Sequence, residues 1–306
     1  MNSIILIIPY FGKWPLWFDA FLKSCEANPT IQWFCPTDCV LPKAYPANIT
    51  FFPTTLEDLN KHVNQVVSAN VPLSPRKFCD LKPAYADIFA KQVSGYNFWG
   101  ICDMDIIWGD IRKFMTQDIL EQYDIISSRK EAISGHFNLF RNTPEINALY
   151  KQLPDYKTLF EVPEFKWTDE VVLTQYLKEH PEVLVYWPNI LCNQERGRDS
   201  HQEYHLDRWQ WQNGTMINAQ TQDEVMYLHF INWKRTMRCC NINFTDTETS
   251  FFISNTGMHY QPHTKLEHLL NRFKNVLMGY WVQEKRRKRK LKIKSLKKRI
   301  KRKFNI

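Results

Sequence analysis

Glycine is scarce, with nine residues in a chain of 306, which excludes long glycine-rich linkers. No stretch approaches 18 apolar residues, so no segment reads as a membrane-crossing helix. The glycine-rich loop expected after the first strand of a nucleotidyltransferase is also missing, because Pro9-Tyr10-Phe11-Gly12 stands in its place. The eight cysteines (Cys25, Cys35, Cys39, Cys79, Cys102, Cys192, Cys239 and Cys240) form no even framework. Cys35-x-x-x-Cys39 and Cys239-Cys240 have no second pair at zinc-finger spacing, so reduced, mostly buried thiols are expected. The first residues, Met1 to Pro9, lack a basic n-region and a small-residue cleavage site, and read as a first strand rather than a signal peptide. Finally, residues 285–306 contain no acid at all. They hold 14 of the 40 basic residues, so the formal charge of +8 belongs to this tail. The rest of the chain carries 26 basic against 32 acidic residues.

What is present is an alternation of strands and helices. The β-branched run Ile4 to Ile8 has the pattern of a strand buried on both faces. Helices are expected over 14–26, 56–69, 83–93 and 169–179. Further strands are expected over 31–35, 49–52, 98–102, 123–127, 136–140 and 225–231. Asn213-Gly214 between alternating residues is a hairpin signal. This order predicts an α/β fold with a mostly parallel sheet and ligands at the carboxyl ends of its strands.

Asp103-Met104-Asp105 falls at such an end, between Phe98–Cys102 and Ile106-Ile107-Trp108. Unpaired buried charge is expensive, so either these acids sit on a solvated turn or a cation pairs with them. Two carboxylates at i and i+2 suit Mg2+ or Mn2+, with diphosphate oxygens completing the shell. His229 interrupts an apolar strand and Lys234 follows five residues later. The imidazole is either a satisfied core group or a third metal ligand, and Lys234 a point charge for a diphosphate. Asp80 and Lys82 precede Pro83 at a helix start, where they form a charged helix opening or contact ribose, base and phosphate. Thr168 is expected as an N-cap with Asp169 and Glu170 in the first turn. Those acids either complete the cap or act catalytically, binding a sugar hydroxyl or stabilising positive charge at the anomeric carbon. His136 and Asn138 lie in a polar loop suited to a sugar or a structural turn. His201-Gln202-Glu203-Tyr204-His205 places its acid at the wrong position for a zinc peptidase.

The tail carries Ile293, Leu296, Ile300 and Phe304 at helical spacing behind Tyr280 and Trp281. A basic amphipathic helix of this kind fits an anionic membrane surface. No nucleic-acid motif is present, and the acidic body offers no complementary groove.

Residues 1–235 resemble a poorly characterised bacterial glycosyltransferase-like family of polysaccharide assembly. The resemblance rests on Ile7-Ile8-Pro9-Tyr10-Phe11-Gly12, on Asp80-Leu81-Lys82-Pro83-Ala84-Tyr85, and on Phe98-Trp99-Gly100 leading to Asp103-Met104-Asp105 and Gly109-Asp110-Ile111. It implies a GT-A-like nucleotide-binding fold, more distantly like glycogenin-type and Och1-type transferases. The implied metal ligands are Asp103, Asp105 and His229, with Lys234 on the diphosphate. The glycine that normally stands between that histidine and lysine is absent, and Asp80-Leu81-Lys82 replaces the Asp-x-x-Arg of Och1-type enzymes.

The expectation is therefore a catalytic domain over 1–235, a packed extension over 236–284 and a basic tail over 285–306. The expected cofactor is Mn2+ or Mg2+. The expected donor is a UDP- or GDP-linked sugar held by Pro9, Tyr10, Phe11, Asp80, Lys82, Asp103 and Lys234. The expected acceptor is a surface glycan or lipid-linked sugar on the cytoplasmic face of the inner membrane. Two other classes use the same features: a metal-dependent phosphoryl enzyme, and a non-catalytic module bound through its tail.

Overall fold

The structure, a computed structural model, describes all residues except 73, 191–204, 232, 279 and 305–306. Side chains at 275, 280–281, 283–284 and 297–304 are likewise outside the description. Cys192, the stretch His201 to Tyr204, and the side chains of Tyr280, Trp281, Ile300 and Phe304 thus lie outside the described residues.

The strands β1 (Ile4–Ile7), β2 (Ile31–Thr37), β3 (Ile49–Pro53) and β4 (Phe98–Cys102) pair in parallel. The chain then adds β5 (Ile106–Trp108), β6 (Ile125–Ser127), β7 (Phe137–Arg141) and β8 (Val185–Tyr186). The main sheet has the order β3-β2-β1-β4-β7-β6-β8, with β7 antiparallel to both its neighbours. This is the expected α/β fold with a mostly parallel sheet. Every residue of β1 is buried, since apolar material covers both faces of a parallel sheet. Leu6, Trp33 and Phe98 pack on one side, and Ile7, Phe34 and Trp99 on the other.

Downstream come β9 (Trp209–Gln212), β10 (Thr215–Asn218), β11 (Glu224–Val225) and β12 (Tyr227–His229), then β13 (Cys239–Cys240), β14 (Ser250–Ile253) and β15 (Gly257–His259). A second, mostly antiparallel sheet has the order β11-β10-β9-β14-β15-β13 and so draws strands from both sides of residue 235. Its Trp211, Met216 and Phe251 share one core with Leu6 and Trp33. The hairpin expected at Asn213-Gly214 forms, with φ of 49° and 83°, the paired left-handed conformation of a type I′ turn.

Several segments differ from the spacing-based expectation. The helix expected over 14–26 begins only at Phe18, and the one expected over 169–179 opens as a π turn, Thr168–Val172. Residues 83–93 form no continuous helix. A 3-10 stretch, Lys77–Ala84, leads into single turns Tyr85–Ile88 and Ala90–Val93, broken where Phe89 leaves helical geometry with its ring buried. The apolar run 225–231 also divides, because the Met226 carbonyl accepts from Gly109 N (2.7 Å), while β12 pairs with β5. At the C-terminus, the helix Lys265–Met278 is followed by the basic helix Tyr280–Phe304. No helix among the described residues is long and apolar enough to cross a membrane.

Candidate active site

The site forms where β4 ends. Asp103 N donates to the His136 carbonyl (3.1 Å), which turns the chain out of the sheet. Met104 points into the core and its carbonyl accepts from Trp17 Nε1 (2.8 Å), so the acids on either side face the other way. The chain then re-enters a ladder: Ile106 of β5 lies opposite His229 of β12. Phe230 N donates to the Asp105 carbonyl (3.1 Å), which closes the ladder next to the second acid. The 3-10 turn Trp233–Arg235 then folds back, with Lys234 N donating to the Phe230 carbonyl (3.1 Å). As a result Lys234 Nζ lies 2.5 Å from Asp105 Oδ2, and His229 Nε2 lies 3.5 Å from Asp105 Oδ1. Burial opposes the charge on Asp105, but His229 and Lys234 outweigh it and hold the carboxyl well below its ordinary range.

Behind these groups stands Lys82, with its side chain only 9% exposed. Its ammonium reaches Asp103 Oδ1 (3.0 Å), Asp169 Oδ2 (3.7 Å) and the Gly135 carbonyl. Burial works against its charge, yet Asp103 and Asp169 keep it charged well above the usual lysine range. Asp169 behaves in the opposite sense. Burial, reinforced by Glu170 and Asp103 and opposed by Lys82, raises its carboxyl from 3.8 to about 7. Its Oδ1 is buried without a hydrogen-bond partner. It sits in a π-helical turn, Thr168–Val172, a local distortion often found at functional sites. Glu170 is tied down, since its Oε1 accepts from Gly135 N (2.8 Å). A Cβ at Gly135 would lie 2.5 Å from that oxygen, so any larger residue would push the Glu170 carboxylate aside. His136 stacks on His229 (4.0 Å between ring centres) and pairs with the Tyr227 hydroxyl (2.8 Å). Burial first, and then His229, depress its pKa well below 6.5, which leaves a neutral imidazole.

These groups line one crevice with two lobes that share Cys79, Lys82, Asp103 and Lys234. The smaller lobe, about 290 Å³, adds Pro9, Tyr10, Phe78 and Asp105. The larger, about 510 Å³, adds Asp169, Glu170, His136 and His229. The structure therefore brings together Pro9, Tyr10, Lys82, Asp103, Asp105, His136, Asp169, Glu170, His229 and Lys234.

It does not bring in three others. Asp80 is fully buried and accepts from Lys77 Nζ (2.9 Å), Lys166 N (3.0 Å) and Thr168 N (3.0 Å). It therefore braces the 166–168 loop instead of facing a ribose. Thr168 in turn makes no side-chain cap, and Trp167 precedes the turn in left-handed geometry. Asn138 is also fully buried: its amide pairs with the backbone of Ser134, holding the loop that presents His136. Phe11 lines neither lobe and packs near Phe78 (6.3 Å). Sequence reasoning missed the basic lining residues Arg76, Arg129 and Arg235. These three arginines are far apart in the sequence, so nothing local signals that they converge.

A divalent ion fits this geometry. Ligand atoms of Asp103, Asp105 and His229 all lie within 4.8 Å of one another. Cis ligands of a small divalent ion stand about 3 Å apart, close to the 3.5 Å between His229 and Asp105. Two oxygens and one imidazole suit a divalent metal ion.

The chain belongs to a family described as of unknown function (DUF6625), which matches residues 6–262. No curated protein matches it. Among solved structures it is similar to mouse xyloside xylosyltransferase 1 in its apo form. That match has 12% identity and a TM-score of 0.41, and it covers 75% of this chain and 98% of that one.

Proposed function

We propose that this member of the DUF6625 family is a metal-dependent glycosyltransferase. It would move a sugar from a nucleoside-diphosphate donor, UDP- or GDP-linked, to a bacterial surface glycan or its lipid-linked precursor. The observation that carries the reading is the convergence of Asp103, Asp105, His229 and Lys234 on the carboxyl end of a mostly parallel sheet. Asp103, Asp105 and His229 would hold Mn2+ or Mg2+, which when bound supplies positive charge to a departing diphosphate.

The chain's own residues divide the remaining work. The smaller lobe, between Tyr10 and Phe78, is walled by aromatic faces suited to a base, with Pro9 at the strand end. Lys234 reaches Asp105 from a side chain that remains 43% exposed, so its ammonium can turn toward the diphosphate. Lys82, held by two carboxylates and a carbonyl, acts as a fixed strut that spaces Asp103 from Asp169.

Asp169 is the group for proton transfer. A carboxyl near pH 7 with a free buried oxygen matches a general base for the acceptor hydroxyl. The acceptor oxygen bonds to the anomeric carbon as the carbon–diphosphate bond breaks, and the hydroxyl proton passes to Asp169. Glu170 keeps the 134–136 loop, and with it His136, against the sugar. The tail would rest on the cytoplasmic face of the inner membrane, where lipid-linked acceptors are found. Leu291, Ile293 and Leu296 are exposed on that basic helix.

The test is a panel of UDP- and GDP-sugars incubated with Mn2+ and lipid-linked acceptors. Metal-dependent release of one nucleoside diphosphate together with a glycosylated acceptor is expected. Release of inorganic phosphate or pyrophosphate without sugar transfer would contradict the reading.

A further inference from the structure

A second convergence of ligating side chains lies on the six-stranded sheet. Asp207 precedes β9, His259 ends β15, and His263 lies just before the helix Lys265–Met278. Asp207 Oδ1 stands 2.9 Å from His259 Nε2 and 2.8 Å from His263 Nδ1. The three ligand atoms lie within 4.8 Å of one another. The other oxygen, Asp207 Oδ2, accepts from His263 N (2.9 Å) and approaches His268 Nε2 (3.0 Å). None of these residues lines either lobe of the crevice.

Among the described residues, the helix they adjoin buries Asn271 but leaves most of its large apolar side chains exposed. Leu266, Leu269, Phe273 and Val276 are each more than 60% exposed, so apolar burial contributes little to holding it. Its first turn, by contrast, is sharply defined. Thr264 N donates to Glu267 Oε2 (2.7 Å) and Glu267 N to Thr264 Oγ1 (3.3 Å), a capping box that sets His268 in place.

We propose that Asp207, His259 and His263 bind a first-row transition-metal ion, zinc by the chemistry of the set, which fastens the start of this helix to the second sheet. Two imidazoles and one carboxylate are a nitrogen-rich set that favours zinc over Mg2+ or Ca2+. His259-x-x-x-His263 has the histidine spacing of structural zinc sites. His268 sits on the carboxylate oxygen turned away from the other rings, where an outer-shell donor orients a ligand. The assignment is independent of the glycosyltransferase reading, because it uses none of that site's residues.

The test uses the full chain carrying Asp103→Asn and Asp105→Asn, which removes the carboxylates of the first cluster. After chelator treatment and equilibration with Zn2+, about one equivalent should be retained, with Tm raised by about 5 °C at a hundredfold excess over Kd. X-ray absorption at the zinc edge should report at least two imidazole ligands. Adding His259→Gln and His263→Gln should abolish retention. If that variant fails to fold, the absorption spectrum of its parent decides. No zinc retained, which would leave a hydrogen-bonded histidine cluster only, overturns the proposal. So does an oxygen-only shell, or equal retention in a folded His259→Gln, His263→Gln protein.

Discussion

Two clusters of carboxylate and imidazole stand among the described residues, and they differ in what surrounds them. Asp103, Asp105 and His229 are flanked by two lysines and open onto a crevice of two lobes. Asp207, His259 and His263 have a third histidine beside them and line neither lobe. The first set is oxygen-rich and leaves room for a ligand that brings its own negative charge. The second is nitrogen-rich and nearly completed by the protein. The lesson is that ligand identity alone does not separate chemistry from scaffolding. Access and the neighbouring cations do.

Several substitutions would break or sharpen this contrast. The largest effect is expected from Asp103→Asn with Asp105→Asn. Losing several kcal/mol of charge stabilisation should lower kcat by roughly 10³-fold or more, measured as donor turnover with Mn2+. Asp169→Asn should follow, with kcat reduced about 10²- to 10⁴-fold and the ascending limb of the pH–rate profile near 7 removed.

The same residue governs stability. Its pKa is raised on folding, so the native state keeps a proton that the unfolded state gives up. The resulting stabilisation is full below pH 3.8 and is lost as pH rises through about 7. The interval corresponds to about 4 kcal/mol, and urea titrations across it should show that slope flattened in Asp169→Asn.

Asp80→Ala tests the scaffold side of the first site. Removing the partner of the buried Lys77 ammonium (2.9 Å) should destabilise the fold by about 3–5 kcal/mol. KM for the donor in the folded fraction should hardly move, whereas a ribose contact would raise it severalfold. The smallest effect on turnover is expected from ending the chain at Glu284. Flotation with anionic vesicles should be lost while turnover on a soluble acceptor stays within about twofold. Unchanged flotation would remove the membrane role of the tail.

Much of this was legible in the sequence where signals are local. The run Ile4–Ile8, the Asn213-Gly214 turn and the Asp-x-Asp step between apolar segments each carry their meaning in adjacent residues. His229 could be noticed as an imidazole in an apolar strand, but its place beside Asp105 depends on the β5–β12 register. Asp80 shows the reverse case. Its neighbours Lys82 and Pro83 suggested a ligand site, while its partners are Lys77 nearby and Lys166 and Thr168, 86 and 88 residues away. Thr168 had the sequence of a cap, yet its backbone N–H is satisfied by that distant acid. The histidine cluster was the least legible of all. His201 to His205 attracted attention as a zinc-peptidase decoy, while Asp207 gathers its histidines from a strand end, a loop and a helix start.

The central claim is that Asp103, Asp105 and His229 bind a metal together with a nucleoside diphosphate. The most direct measurement is the thermal unfolding of the full chain with Mn2+ alone, with UDP or GDP alone, and with both. Mn2+ and one of the two nucleotides should raise Tm together by more than the sum of their separate shifts, and Asp103→Asn with Asp105→Asn should erase the excess. Equal shifts in the wild type and the variant, or no joint effect with either nucleotide, would contradict the account.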